Sequence, residues 1–363
     1  MGARVATVVV GGGQAGLATA YHLTRRGSDV VVLDAGRAVG DSWRSRWDSL
    51  RLFTPGGFSS LPGLPFPGPR RGYPTKDEVA DYLAGYAERF ALPVELDTRV
   101  EAVRREDGDF LVVGSRGRRW RARNLVIATG AHHTLSVPSF ADRLDPGVVQ
   151  LRVGSYRRPA QLPPGPVLVV GAGNSGAEIA LDLVTDPLTG GAREVHLAGR
   201  DVGHIPFLGP WTFPLLERLG RVGASVARRA FDGRGDPLGR LRRGELESAG
   251  VRRQPRVTGV RDGAPLLADG RVLSVAAVVW CTGFRPDYRW LHLDVLDDRG
   301  RLRHRGGVIE DQPGMYVVGL PYQRTATSHL VGGVGGDARR ITDHLLARMR
   351  RTQPSGASGN TSR

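Results

Sequence analysis

The feature that most constrains the fold of this chain is a glycine-rich loop that occurs twice, each time after an apolar strand. The first copy, GGGQAG over residues 11–16, follows the run Val5–Val10. The second copy, GAGNSG over residues 171–176, follows Val167–Val170. Both contain GxGxxG, and a strand, a glycine loop and a helix in this order are typical of a dinucleotide-binding unit. The sequence therefore predicts an α/β fold with two nested Rossmann-like domains.

The segments that follow the two loops are repeated as well. A helix is predicted after each loop, over residues 14–26 and 174–185, and a strand after each helix. Short alternating strands with Asp-Gly turns then lead to a strand that ends in Thr-Gly. The closing glycines, Gly130 and Gly283, follow Gly11 and Gly171 by 119 and 112 residues. Because a single GxGxxG is a weak signal, this common spacing carries the prediction of two similar units.

Three further elements are predicted outside the repeat. A helix over 75–90 has a capping box formed by Thr75 and Glu78, and its apolar stripe is more typical of core packing than of a cofactor box. A strand is predicted over 315–319 and a C-terminal helix near 336–350. These elements would complete the first unit.

The composition excludes several classes of protein. Basic residues exceed acidic ones by 51 to 36, but Lys76 is the only lysine and the arginines are scattered, which favours codon bias over a nucleic-acid surface. The single cysteine, Cys281, excludes a disulfide framework and a cysteine-based zinc site, and we expect no metal site. No apolar run reaches the roughly 18 residues of a membrane span, and no signal-peptide pattern is present. We therefore expect a cytoplasmic protein.

The residue after the second strand distinguishes the two units. Asp34 follows Gly16 by 18 residues, where a carboxylate can accept hydrogen bonds from the ribose of FAD or NAD. The second unit has Arg200 at the corresponding place, where an arginine can pair with a 2′-phosphate and so favours NADPH over NADH. An acid that serves only the turn, and an ordinary surface arginine, remain the alternative interpretations.

Two dinucleotide sites in one chain predict FAD together with NAD(P)H, because hydride passes from nicotinamide to flavin. A single cysteine cannot supply the redox-active pair of a disulfide reductase. Oxygen is then the obvious acceptor for the electrons of the reduced flavin.

These residues resemble the class B flavin-dependent monooxygenases, and most closely the compact YUCCA-like branch of the flavin-containing monooxygenases. The resemblance covers about residues 5–345. The motifs that carry it are GGGQAG from Gly11, GDSW from Gly40, WDSLRLFTP from Trp47, YPTKDE from Tyr73, ATG from Ala128, GAGNSGAEIA from Gly171, WCTGFRP from Trp280, and GLPYQRT from Gly319, continuing into Gly332–Gly336.

The resemblance implies FAD and NADPH as cofactors and a C4a-(hydro)peroxyflavin as the oxygenating species. It implies an FAD-binding domain over 1–155 and 284–350 and an inserted NADPH-binding domain over 156–283. The Ser- and Gly-rich composition of the last residues predicts a disordered tail over 351–363. The cofactor-binding positions that we expect are Gly11, Gly13, Gln14, Ala15, Gly16, Asp34, Ala35, Gly40, Ser42, Trp43, Thr54, Val100, Ala128, Thr129, Gly130, Gly171, Gly173, Asn174, Ser175, Gly176, Arg200, Cys281, Thr282, Gly283, Gly319, Gln323 and Gly332.

The candidates for the reacting pocket are Trp47, Phe53, Tyr322, Gln323 and His329. Trp47 and Tyr322 as packing aromatics, and His329 as a structural histidine, are the alternative interpretations. Cys281 is interpreted as a small buried residue without a redox role.

The sequence departs from the family pattern at two places. In the fingerprint FxGxxxHxxx(Tyr/Phe/Trp) only Tyr156 fits, and Arg152 stands where the family has histidine. The active-site asparagine of the nitrogen- and sulfur-oxidising members is absent near Phe53. The usual amine and sulfide substrates are therefore not implied.

We predict an FAD-containing, NADPH-dependent monooxygenase that transfers one oxygen atom from O2 to a small organic substrate. The alternative is an NADPH-dependent flavin oxidoreductase or oxidase without oxygen insertion, which Arg152 favours. A nucleic-acid-binding flavoprotein is disfavoured by the scattered arginines. The oligomeric state stays open, with a homo-oligomer as one outcome.

The apolar segment 205–216 is interpreted as packing between the domains, with a substrate-access lid or a surface anchor as alternatives.

Overall fold

The structure, a computed structural model, describes residues 2–187, 190–204, 212–231 and 237–352. Within them the helices are α1 (Gln14–Thr24), α2 (Asp41–Arg44), α3 (Lys76–Arg89), α4 (Asn174–Val184), α5 (Thr212–Arg218), α6 (Gly220–Phe231), α7 (Arg243–Ser248) and α8 (Val334–Thr352). The strands are β1 (Ala3–Val10), β2 (Val30–Leu33), β3 (Val94–Glu95), β4 (Val100–Glu106), β5 (Asp109–Gly114), β6 (Arg119–Ile127), β7 (Thr134–Leu135), β8 (Val149–Arg152), β9 (Val167–Val170), β10 (Val195–Ala198), β11 (Arg252–Gln254), β12 (Val257–Arg261), β13 (Ala264–Leu267), β14 (Ala277–Trp280), β15 (Phe284–Arg285) and β16 (Met315–Val317).

Two parallel sheets organise the chain, and each is centred on the strand before a glycine loop. The first runs in the order β3-β2-β1-β6-β16, with β5 and β4 added antiparallel at the first half of β6. The second runs in the order β11-β10-β9-β14-β8 and is parallel throughout. In both sheets the strand before the loop lies between the strand that follows the helix and the strand that ends in Thr-Gly. The predicted α/β fold of two Rossmann-like units is confirmed.

The side chains of the two central strands, β1 and β9, point alternately to the two faces of their sheets, and both faces are covered. In β1, Val9 packs with α1, α3 and α8, while Val8 and Val10 face a separate core on the other side. In β9, Val169 packs with α4 and Leu168 with the opposite face. A strand that is buried on both faces reads as an unbroken apolar run, which is how both strands were recognisable in the sequence.

Helix α3 begins and ends close to its predicted bounds. Thr75 and Glu78 form the capping box: the Thr75 hydroxyl accepts from Glu78 N, and the Glu78 carboxylate accepts from Thr75 N. The buried tyrosines of its apolar stripe satisfy their hydroxyls within the protein, since Tyr82 donates to Leu64 O at 2.7 Å and Tyr86 to Pro62 O at 2.8 Å. The stripe is therefore part of the core of the first unit.

The chain passes between the two units twice. The two connecting segments contain β7 and β15, which pair as a short antiparallel ribbon. The chain enters the second sheet earlier than the predicted division at 155 and 156, because β8 pairs with β14. Leu144, before β8, also packs in the core of the second sheet. The boundary between the two sheets thus lies between β7 and Leu144.

Two predictions fall partly outside the described residues. Residues 205–211 of the apolar segment and 353–363 of the tail are not among them. None of the helices in the described part of the chain is both long and apolar enough to cross a membrane.

Candidate functional site

The two glycine loops have the same backbone geometry. Their first glycines, Gly11 and Gly171, have φ of 105° and 110°, in the left-handed region that favours glycine. A side chain at either position would collide with the neighbouring Thr-Gly strand end: a Cβ on Gly11 would lie 2.7 Å from Ala128 O, and one on Gly171 would overlap Cys281 O. The third glycines, Gly16 and Gly176, leave no room for a Cβ beside the first glycine's carbonyl.

The second glycine of each loop behaves differently. Gly13 and Gly173 precede their helices with the same φ of −78° and ψ of −172°. A Cβ on either would meet no protein atom within 4 Å. At these two positions, therefore, the glycine is not required by the protein's own packing. The open space in front of each helix N-terminus fits the close approach of a pyrophosphate group.

Both open positions face one cleft, with a volume of about 1930 Å³, between the carboxyl ends of the two sheets. Ligands of open α/β sheets bind at this end of the strands. The predicted residues that line it are Gly11, Gly13, Gln14, Ala15, Asp34, Ala35, Ser42, Trp43, Trp47, Phe53, Thr54, Val100, Ala128, Thr129, Gly130, Gly171, Gly173, Asn174, Ser175, Gly176, Arg200, Cys281, Thr282, Gly283, Gly319, Tyr322 and His329.

Four predicted residues do not line the cleft. Gly16 packs against its own loop, Gly40 (φ 93°) packs against Ala80, and a Cβ on Gly332 would overlap Phe58 O. Gln323 is buried beneath the C-terminal loop, where its amide donates to Val317 O at 2.9 Å and accepts from Leu320 N at 3.3 Å. Gln323 thus holds the loop in shape and does not reach the reacting space.

At the first loop, the Asp34 carboxylate organises the backbone. One oxygen accepts from Gly12 N at 2.5 Å and the other from Gly36 N at 2.7 Å. Each oxygen keeps a further lone pair, and Asp34 lines the cleft. Asp34 can therefore fix the loop and accept from a ribose hydroxyl at the same time.

At the second loop, the corresponding strand end is positively charged. Arg200 is exposed and lines the cleft after Gly199. The Gly199 turn is held by Arg253, which donates to Leu197 O at 2.9 Å and to Gly199 O at 3.1 Å. Arg256 follows the adjacent strand β11 and lines the same cleft. Two arginines thus border the second binding region, where the first has a carboxylate.

The helix at the second loop is tied to a neighbouring segment by Asn174. Its side-chain amide donates to Pro237 O at 3.2 Å, and its oxygen accepts from Gly239 N at 2.8 Å. Cys281 packs its Cβ against the position of Gly176, and burial raises the pKa of its thiol to about 12. A protonated, tightly packed thiol agrees with the interpretation of Cys281 as a small packing residue.

Aromatic side chains line the space between the two binding regions. Trp47 is 4% exposed and packs in the core of the second unit, although it belongs to the first. Its indole N–H has no hydrogen-bond partner among the described residues. Across the cleft, the rings of Tyr322 and His329 lie 6.3 Å apart, and His329 O accepts from Gln14 at 3.3 Å.

Of the family fingerprint, Arg152 and Tyr156 do not line the cleft, whereas Val153 between them does. Arg152 is exposed at the end of β8 and does not line the cleft. Tyr156 is fully buried and donates its hydroxyl to Asp182 at 2.6 Å. The segment therefore anchors the second unit, and Arg152 acts on nothing in the cleft directly.

Sequence reasoning missed several cleft residues. Glu178 lines the cleft from α4, 3.3 Å from the guanidinium of Arg240, and burial raises the pKa of its carboxyl. Phe213 of α5 stacks on Phe58 at 5.0 Å between ring centroids and closes one side. Glu178 belongs to the quoted motif GAGNSGAE, so its position was readable, whereas nothing in the sequence pairs Phe213 with Phe58.

The comparisons with known proteins agree with this geometry. The chain matches the pyridine nucleotide-disulphide oxidoreductase family over residues 8–202. It is 38% identical to a CzcO-like uncharacterized oxidoreductase of Geobacillus kaustophilus, with 94% of this chain and 98% of the relative covered. It is 29% identical to the probable indole-3-pyruvate monooxygenase YUCCA7 of Arabidopsis thaliana, with 93% and 86% covered.

A solved structure gives the same result. The flavin-containing monooxygenase of Stenotrophomonas maltophilia superposes with a TM-score of 0.79 at 30% identity, with 96% of this chain and 99% of that one covered. The resemblance stated from the motifs is confirmed. The chain belongs to the pyridine nucleotide-disulphide oxidoreductase family and is a flavin-dependent oxidoreductase of the class B monooxygenase group.

Proposed function

We propose that this protein is an FAD-containing, NADPH-dependent monooxygenase acting on a small, largely apolar organic substrate. The observation that carries the proposal is the pair of open glycine positions, Gly13 and Gly173, that face one cleft from two units. The residues that follow β2 and β10 differ in charge, since Asp34 is acidic and Arg200 is basic. On this difference we assign FAD to the first loop and NADPH to the second.

NADPH rather than NADH is favoured by the charge at the second loop. A 2′-phosphate carries about two negative charges that NADH lacks, and guanidinium groups bind phosphate with charge-assisted hydrogen bonds. Arg200 and Arg256 follow adjacent parallel strands and line the same cleft. We assign both to the 2′-phosphate.

FAD held at the first loop would supply the redox chemistry, with hydride from NADPH and O2 as the oxidant; one oxygen atom would go to the substrate and the other would leave as water. The residues of this chain bind and exclude water. Four aromatic side chains line the cleft, those of Trp47, Phe53, Phe213 and Tyr322. A site from which water is excluded protects the oxygen-transfer step from hydrolysis and from loss of protons.

The second candidate is an NADPH-dependent oxidase that releases hydrogen peroxide. Arg152, at the place of the family histidine, favours it. However, Arg152 is exposed and does not line the cleft, so it leaves the walls of the reacting space unchanged.

Rapid mixing distinguishes the two candidates. The flavin-loaded protein is reduced with NADPH without oxygen and then mixed with oxygenated buffer while absorbance is followed. The proposal predicts a long-lived near-ultraviolet band before the oxidised flavin spectrum returns. Direct return to oxidised flavin, with one peroxide released for each NADPH in the presence of every substrate tested, would establish the oxidase instead.

A further inference from the structure

Residues 212–231 form α5 and α6, a segment that we call the α5–α6 hairpin, and they carry an exposed apolar stripe. Leu215, Leu219, Val222 and Val226 are 58%, 49%, 72% and 63% exposed. Among the described residues, the other exposed large apolar side chains are Val149 (37%) and Val272 (41%), on separate strands or turns. Four of the six thus occur within twelve residues. Such clustering marks an interaction surface, whereas single exposed apolar residues are ordinary.

The inner side of the hairpin is packed, so the stripe is a second apolar face. Phe213 (2% exposed) stacks on Phe58, and Ala224 is 5% exposed. Val222 and Val226 are four residues apart and therefore share one side of α6. A surface helix normally needs one apolar face. The packing of the hairpin onto the protein does not account for the outer stripe.

The exposed charged side chains of α5 and α6 are all positive. Arg218, Arg221, Arg228 and Arg229 are exposed, and none of them forms an ion pair with a described residue. Glu217 is the only acid in the hairpin. It points inward, its carboxylate lies about 3.7 Å from where a Cβ on Gly336 would be, and burial raises its pKa. The outer surface is therefore apolar and cationic.

The combination of apolar and positively charged side chains on one surface indicates what binds there. In a symmetric pair of chains, the same four arginines would face each other and repel. An anionic bilayer surface attracts arginines through lipid phosphates and receives apolar side chains at the acyl boundary. We propose that the outer surface of the α5–α6 hairpin docks the protein on anionic membranes, with the stripe inserted and the arginines on lipid headgroups.

Docking through this hairpin would bring the cleft to the bilayer surface. Phe213, Leu216 and Ala227 line the cleft from the same two helices. A substrate dissolved in the membrane would then reach the cleft from the bilayer.

Co-flotation with vesicles tests the proposal on the full-length, flavin-loaded protein. We expect binding to phosphatidylglycerol vesicles, little binding to phosphatidylcholine vesicles, and loss of binding at high salt. The double variant Val222→Ser, Val226→Ser should bind anionic vesicles at least about tenfold more weakly, because two inserted apolar side chains are lost. The matched control, Val149→Ser with Val272→Ser, should bind like wild type. Flavin content and circular dichroism confirm that each variant folds.

Three results would overturn the proposal. The first is wild-type protein that does not float with anionic vesicles. The second is equal flotation of the variant in which Val222 and Val226 are replaced. The third is a wild-type dimer in sedimentation that the same double variant dissociates, since a second copy would then cover the stripe.

Discussion

The two glycine loops are alike in backbone and unlike in charge. Gly13 and Gly173 share their φ and ψ, and both first glycines press against a Thr-Gly strand end. The residue that follows the next strand differs between the units. In the first unit it is Asp34, which accepts two backbone hydrogen bonds, and in the second unit Arg200 lies at the corresponding place. The same backbone arrangement is thus repeated in both units, and the proposed difference in dinucleotide rests on a few residues at the strand ends.

The largest effect is expected from a side chain placed in the open space before α1 or before α4. Gly13→Val should abolish FAD binding, because its side chain would enter the open space before α1, where a Cβ meets no protein atom within 4 Å. Gly173→Val should leave FAD bound and abolish NADPH binding. The ratio of flavin absorbance to protein absorbance and calorimetric titration with NADP⁺ measure the two affinities.

Gly85→Val is the matched control for this pair. Gly85 also has no atom within 4 Å of its Cβ, but it lies on the exposed side of α3, away from the cleft. It should bind both cofactors like wild type. A yellow, fully loaded Gly13→Val protein would contradict the assignment of FAD to the first loop.

The next effect concerns the carboxylate at the first loop. Asp34→Ala should weaken FAD binding about 100-fold, since hydrogen bonds to a charged group are worth about 1.5–3 kcal/mol and the loop also loses its anchor. Asp34→Asn keeps one acceptor oxygen and should fall between Ala and wild type. FAD titration of the apoprotein measures this. If NADP⁺ affinity of the holoprotein falls as much as FAD affinity, the separation of the two sites is wrong.

A smaller effect is expected at the second strand end. Arg200→Ala and Arg256→Ala should each weaken NADPH binding about tenfold, at the lower end of the range for charge-assisted hydrogen bonds. NADH binding should hardly change. Arg261→Ala, an exposed arginine outside the cleft, is the control. Equal losses for NADPH and NADH would show that neither arginine reads the 2′-phosphate.

The effect that is smallest at neutral pH concerns stability, and it distinguishes the two loop helices. His22 is the ninth residue of α1, where α4 has Asp182. Burial, and then the charge of Arg26, lower the pKa of His22 from 6.5 to about 4. The unfolded chain therefore takes up the proton first, and stability should fall as pH drops from 6.5 towards 4. In His22→Gln this acid-side loss should shrink, as urea unfolding at several pH values would measure. An unchanged pH dependence would contradict it.

The sequence was sufficient for features that depend on local backbone requirements. Glycine at three fixed spacings, unbroken valine runs and the capping box at Thr75 each reflect a constraint within a few residues. For this reason both loops, both central strands and α3 were predicted close to their observed bounds.

Features that depend on long-range packing were not predictable. Arg256 follows β11, a three-residue edge strand of polar residues that gives no apolar signal. Gln323 was expected in the pocket, but its amide turns inward to Val317 O, which only the folded loop determines. Trp47 packs in the core of the other unit. The early entry of β8 into the second sheet likewise depends on its pairing with β14.

The most direct test of the two-loop account is anaerobic reduction of the bound flavin by NADPH in wild type and in Gly173→Val. The account predicts that wild type loses the visible band of oxidised flavin rapidly, whereas Gly173→Val keeps its flavin and its visible band at the same NADPH concentration. Reduction of the variant at the wild-type rate would show that hydride does not come from NADPH at the second loop, and would contradict the assignment of one cofactor to each loop.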